Sequence, residues 1–256
     1  MRQLYLFTII FTITTSWAFS KVDTAKFLKN GETLTYMGSA PRLSILGENI
    51  GSITITTKED KLISKKKCFK INLVLKLSKA ISGIYTYGAL ISSVLEYNNF
   101  RFLVYTKNDR KKDMSQFEKA LVDYDEKNMQ YMRYRQDQKI TPITIPTPYK
   151  EMIDPLSLIY YLRTLDLSKV SGNTKKFTLF NRGRISPITL NYRRTTITLN
   201  KKKVPVIHIK PSKATKGSII RKRDVELYLD PATKIPLLIK ILGIPVIGSL
   251  ELKLKK

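Results

Sequence analysis

The sequence predicts a mainly β protein: a strongly curved antiparallel sheet, half-barrel or open barrel, with one or two short helices packed on it. Three observations lead there. Apolar and polar residues alternate with period 2 along much of the chain. Turn-forming residues separate the alternating runs at short intervals. One segment only follows helical spacing. Short strands in close succession, each with one wet face, make antiparallel sheets that curl or close.

Residues 1–20 read as a secretory signal peptide. Arg2 is the positive n-region, residues 4–17 are uncharged and rich in Leu, Ile and Phe, and Ala18-Phe19-Ser20 supplies small residues for cleavage after Ser20. A membrane anchor fits less well, because a spanning helix needs about 20 apolar residues and this stretch carries Thr8, Thr12, Thr14, Thr15 and Ser16. Lys21, not cysteine, follows the cut, so no lipoprotein anchor is expected. The expected location is the periplasm, with residues 21–256 as a single curved β domain.

Along that domain, Ile53 and Ile55 alternate with Ser52, Thr54 and Thr56. Phe69, Ile71, Leu73, Leu75 and Leu77 then oppose Lys70, Asn72 and Lys76. Residues 81–95 are apolar with Gly83 and Gly88, and fit either core or the lining of a cavity. Residues 125–128 read as the loop of a hairpin whose strands carry Tyr124, Tyr131 and Tyr134 beside Arg133 and Arg135. Cross-strand aromatic pairing accounts for that mixture; stacking on nucleic-acid bases is disfavoured by export.

The helix is predicted over residues 154–165. Asp154 is its N-cap, Pro155 its first helical position, and Leu158, Ile159, Leu162 and Leu165 follow its spacing. Farther on, Ile197 and Leu199 alternate with Thr196 and Thr198, and residues 200–203 turn the chain. Val225, Leu227 and Leu229 oppose Glu226, Tyr228 and Asp230, and Asp230-Pro231-Ala232-Thr233 makes a β-turn. Residues 235–250 are apolar except for Lys240, and Pro236, Gly243, Pro245 and Gly248 make them strand, kink, strand. Leu250, Leu252 and Leu254 close the series against Glu251, Lys253 and Lys255.

Charge is the second informative property. Lys and Arg number 46 against 20 Asp and Glu, a formal net charge of +26. No acidic residue occurs over residues 167–223. The candidate anion contacts are Arg182, Arg184, Arg193, Arg194, Lys201, Lys202, Lys203, Arg221, Lys222 and Arg223. A field of this sign attracts polyanions, and after export these are lipid headgroups and envelope polymers, with no nucleic acid expected. The competing reading is a solvated surface whose lysines guard strand edges.

Catalytic chemistry is hard to assemble. His208 is the only histidine and lies between Ile207 and Ile209, on the polar side of a strand. Cys68 is the only cysteine, so no intrachain disulfide forms. No nucleophile elbow and no Gly-rich phosphate loop is present. No catalytic residue, metal ligand or cofactor is expected, and the protein reads as non-enzymatic.

Certain stretches resemble a family of exported Gram-negative proteins, the domain of unknown function number 3108. These are Gly31-Glu32-Thr33-Leu34-Thr35-Tyr36 with Gly47 and Gly51, then Asp154 to Arg163 as "D-x-L-S-x-x-Y-x-L-R". The strand Arg223 to Asp230, Ile235-Pro236, and Gly248-Ser249-Leu250-Glu251-Leu252 complete the series. The resemblance, distantly shared with the LolA/LolB-type periplasmic lipoprotein carriers, implies a half-barrel that could hold acyl chains in its concavity. Leu158, Ile159, Leu162, Leu237, Ile239 and Ile241 are then the candidate groove residues. The expected partners are a lipid, a lipoprotein or an anionic envelope polymer, met at a membrane surface. The alternative is a docking module that acts through its basic surface and encloses no ligand.

Overall fold

The computed structural model describes residues 27–42, 49–63, 66–78, 87–97, 100–111, 114–135, 142–146, 152–167, 173–211, 225–244 and 248–255. The expected signal peptide and its expected cleavage site lie outside these, as do Arg221, Lys222 and Arg223. The strands are β1 (Thr33–Ser39), β2 (Gly51–Ile63), β3 (Lys66–Leu77), β4 (Tyr87–Glu96), β5 (Phe102–Lys111), β6 (Met114–Asp123), β7 (Asn128–Arg135) and β8 (Ile143–Pro146). Helix α1 (Pro155–Thr164) follows, and then β9 (Asn173–Asn181), β10 (Arg184–Leu199), β11 (Lys202–Pro211), β12 (Val225–Leu229), β13 (Pro236–Ile244) and β14 (Gly248–Leu254). One helix is present among the described residues.

All 14 strands belong to one sheet in the order β8-β7-β6-β5-β4-β3-β2-β1-β14-β13-β12-β11-β10-β9. Every neighbouring pair is antiparallel. Every strand pairs with its neighbours in sequence except β8 and β9, and β1 pairs β14, so the first and last strands meet in the middle of the sheet. The edges are β8 and β9, and the sheet is not closed into a barrel. The helix enters the chain at this break.

Side chains draw the two halves together across it. Ile153, just ahead of α1, forms a parallel bridge to Leu179 of β9. Its N–H donates to the Thr178 carbonyl at 3.0 Å, and the Phe180 N–H donates to its carbonyl at 2.9 Å. The Phe180 ring lies 5.4 Å from Phe102, 5.8 Å from Tyr105 and 5.9 Å from Tyr131. A β9 side chain therefore packs on β5 and β7, which stand far from it in strand order.

Alternation explains the core. Leu34 and Tyr36 of β1, Ile53 and Ile55 of β2, and Phe69 and Ile71 of β3 face inward, as do Ile207 and Ile209 of β11 and Leu227 and Leu229 of β12. These join Leu156, Tyr160, Tyr161 and Leu162 of α1 in one contiguous cluster. The concave face is thus occupied by the chain's own helix. Of residues 235–250, 236–244 form β13 and 248–250 open β14, with Gly243 at φ 70° and Gly248 at φ 75°; the expected kink at 245–247 lies outside the described residues. Residues 87–95 of the unassigned apolar run belong to β4.

Candidate functional site

Helix α1 is fixed at both ends by charged groups. Asp154 caps its start: its Oδ1 accepts from the Leu156 and Ser157 N–H groups at 2.8 and 3.1 Å. Ser157 Oγ returns the bond by accepting from the Asp154 N–H at 3.0 Å, a capping box. Ser93 of β4 donates to Asp154 Oδ2 at 2.6 Å and ties the cap to the sheet. Burial raises the Asp154 pKa, and the Ser157 and Ser93 bonds oppose that rise.

At the other end, the Arg163 guanidinium forks onto Glu32, Nη1 to Oε2 at 2.6 Å and Nη2 to Oε1 at 2.9 Å. Tyr36 and Tyr160 stand close by, and burial pushes both phenols up. The Tyr36 and Tyr160 hydroxyls and Arg163 Nε are buried without hydrogen-bond partners. Glu32, Leu34, Tyr36, Asp154, Leu156, Ser157, Tyr160, Leu162 and Arg163 come from two sequence motifs far apart in the chain. The fold brings them together as the clasp that seats the helix.

The candidate groove residues divide between α1 and β13. Leu162 and Ile239 belong to the core, and Leu158, Ile159 and Ile241 are half-buried against it. Leu237 is half-buried at the register shift between Tyr228 and Leu229, outside the core cluster. Apart from Leu237, these side chains belong to or pack against the core cluster that also contains α1.

The concave face changes character on β5 to β7. Tyr105, Ala120 and Tyr131 are apolar neighbours in one inward row, and the next rows carry Lys107, Glu118 and Arg133, then Asp109 and Gln116. Lys107 Nζ lies 2.5 Å from Asp109 Oδ2, and Gln116 Nε2 donates to Glu118 Oε1 at 2.8 Å. Burial and the Glu118 charge push the Tyr131 phenol up to about 12. None of the four polar groups Lys107, Asp109, Gln116 and Glu118 was singled out from the sequence. On β6 the conspicuous apolar residues Phe117 and Leu121 fall on the opposite side from inward-facing Gln116 and Glu118, so alternation alone does not reveal the buried charge.

The basic residues do not form one patch. Arg182 and Gly183 (φ 52° and 71°) make the two-residue turn between β9 and β10, and Asn200 and Lys201 (φ 50° and 65°) make the turn between β10 and β11. Both have the left-handed geometry of a tight hairpin. They sit at opposite ends of a 16-residue strand, a span of about 50 Å at about 3.3 Å per residue. Arg182 and Arg184 are therefore at one end and Lys201, Lys202 and Lys203 at the other, with Arg193 and Arg194 between; all seven are exposed.

The second half of that hairpin has no further strand paired to it among the described residues. β9 pairs with β10 only as far as Tyr192, and β12 pairs with β11 only from Ile207 to Ile209. Beyond them, among the described residues, Thr195 to Leu199 pairs with Lys202 to Val206 as a two-strand ribbon. One side of the ribbon carries Thr195, Ile197, Leu199, Val204 and Val206, and lysines stand at its tip.

His208 lies at the base of the ribbon on the outer side of the sheet, as its alternation implied. It is nonetheless only 6% exposed. Its ring stacks on Tyr228 at 4.5 Å, and Nε2 stands 3.3 Å from Glu226 Oε2 without making a hydrogen bond. Glu226 Oε2 instead accepts from the Tyr228 hydroxyl at 2.7 Å. Burial lowers the His208 pKa; Glu226 opposes this, and Arg193 and Lys210 add to it. A folded-state pKa below the ordinary value means that the unfolded chain takes up the proton more readily. The stability due to neutral His208 is complete above the ordinary pKa of about 6.5 and is lost as pH falls toward the folded value. Urea titrations at pH 7.5 and 5 are expected to show a smaller acid-induced loss of stability in His208→Gln than in the parent.

A model of the family described as "Protein of unknown function (DUF3108)" matches residues 32–255. The chain belongs to the DUF3108 family. The match opens at Glu32, the acidic half of the helix clasp, and includes all described strands. Among solved structures, the DUF3108 chain is similar to a β-barrel-like protein of the domain of unknown function DUF1849 from Brucella abortus. The TM-score is 0.53 at 10% identity, over 88% of this chain and 95% of that one. This likeness shows that the chain shares the fold of that protein. No curated protein matches the sequence.

Proposed function

We propose that the protein is a non-enzymatic periplasmic binding protein that docks on the anionic phospholipid surface of the cell envelope through the β10–β11 ribbon, enclosing no acyl chain. The observation that carries this reading is the ribbon itself. Among the described residues it extends beyond the pairing of its neighbouring strands, bears half-buried Ile197, Leu199 and Val204, and presents Lys201, Lys202 and Lys203 at its tip. Lysines meet headgroup phosphates while the apolar side rests on the interface. The packing of α1 against the inward side chains of the sheet supports the same reading.

Each Lys or Arg near an anionic membrane contributes about 1 kcal/mol of attraction. The variant Lys201→Glu/Lys202→Glu/Lys203→Glu is therefore expected to bind vesicles of phosphatidylglycerol and phosphatidylcholine at least about 100-fold more weakly, since about 1.4 kcal/mol is tenfold. Binding by the parent should weaken as salt shortens the screening length. Co-sedimentation measures both. Equal binding of parent and variant, or binding indifferent to vesicle charge, would sink the proposal.

A further inference from the structure

We propose that the charged end of the concave face, built by Lys107, Asp109, Gln116, Glu118, Tyr131 and Arg133, binds a zwitterionic headgroup of the phosphoethanolamine type. Two buried atoms point to a ligand. Glu118 is 1% exposed, and its Oε2 has no hydrogen-bond partner although Oε1 is engaged by Gln116. The Tyr131 hydroxyl is likewise buried without a well-formed hydrogen bond, and it stands within reach of the Glu118 carboxylate. The two residues stand diagonally on paired strands, with Glu118 opposite Arg133 and Ala120 opposite Tyr131.

A carboxylate oxygen only accepts hydrogen bonds, and a phenol can accept one, so a group with several N–H donors satisfies both. The local cations do not fill that role. Lys107 Nζ is held by Asp109 at 2.5 Å, and Arg133 Nε is 3.8 Å from Glu118 Oε1, beyond hydrogen-bond range. A primary ammonium has three donors and full charge, and it fits the vacant acceptors.

Arg133 supplies the other half of the recognition. Its side chain is 39% exposed, so it leads from the buried carboxylate toward solvent. A guanidinium there matches a phosphate oxygen pair. The site is also charge-balanced: Lys107 with Asp109 and Arg133 with Glu118 each sum to zero. A ligand carrying both signs enters without leaving a buried excess, whereas a purely anionic or cationic one does not. The proposal rests on the envelope reading only for where such a headgroup is met.

Calorimetric titration of the full chain with free phosphoethanolamine and with dihexanoylphosphatidylethanolamine tests it. Both are expected to bind saturably. Tighter binding of the lipid supports a membrane source, and equal binding supports the site with a soluble source. The phosphocholine counterparts lack N–H donors and should bind at least about tenfold more weakly. Glu118→Gln is expected to lose at least about tenfold in affinity, and Tyr131→Phe, which keeps the ring on Phe180, several-fold. Tyr131→Phe decides the matter if Glu118→Gln does not fold. No saturable binding of either ammonium probe, equal binding of the choline probes, or full affinity in the folded variants would overturn the site. No vesicle is used, so failure here leaves the ribbon result standing, and failure of the ribbon leaves this titration standing.

Discussion

Replacing Arg163 by methionine is expected to lower the free energy of unfolding by about 3–5 kcal/mol, because it strands a buried carboxylate. The Arg163 and Glu32 side chains are 5% and 11% exposed and meet through two short bonds. Removing the guanidinium leaves Glu32 charged, desolvated and beside Tyr36 and Tyr160, whose own hydroxyls lack partners. The loss is far larger than for an exposed pair such as Lys67 with Glu59, at 58% and 45% exposure. In a protein of this size, a loss of about 3–5 kcal/mol lowers Tm by roughly 10 °C. Adding Glu32→Gln to Arg163→Met should recover part of it, since the stranded charge is then gone. Circular dichroism melts of the single and double variants measure both effects. A single variant that melts with the parent would show that the clasp contributes little.

Phe180→Ala carries the second large effect, about 3–5 kcal/mol for a fully buried aromatic. The position differs from other core sites because its ring touches Phe102, Tyr105 and Tyr131, on strands that share no hydrogen bonds with β9. Deleting the ring leaves a cavity where side chains of β9 meet those of β5 and β7. Phe180→Leu keeps part of the volume and is expected to cost less. Urea denaturation of the three proteins should rank them parent, Leu, Ala. A Phe180→Ala variant as stable as the parent would mean that the sheet edges are held by other contacts.

Local rules made much of the fold legible. Period 2 in Phe69, Ile71, Leu73 and Leu75 gives β3 and its inward side, and Asp154-Pro155 marks the start of α1. Gly243 and Gly248 mark the bend between β13 and β14. What alternation does not carry is which distant strands meet. The pairing of β1 with β14, and of Glu32 with Arg163 across 131 positions, follows from the global curl of the sheet. The basic span shows the same limit. Arg182 and Lys201 look like one cluster in sequence, yet a single long strand separates them. Glu118 was hidden for the opposite reason, since an inward charge breaks the pattern by which inward residues are recognised.

The central claim is that α1 is a fixed part of the concave face, leaving the outer ribbon to meet the envelope. Hydrogen exchange at the backbone amides of Leu158 to Leu165, measured with and without phosphatidylglycerol vesicles, tests this most directly. The account predicts that these amides exchange only with global unfolding, at rates the vesicles leave unchanged, while amides of Thr196 to Val204 gain protection. Helix amides that open ahead of the sheet, or that lose protection when vesicles are added, would contradict it.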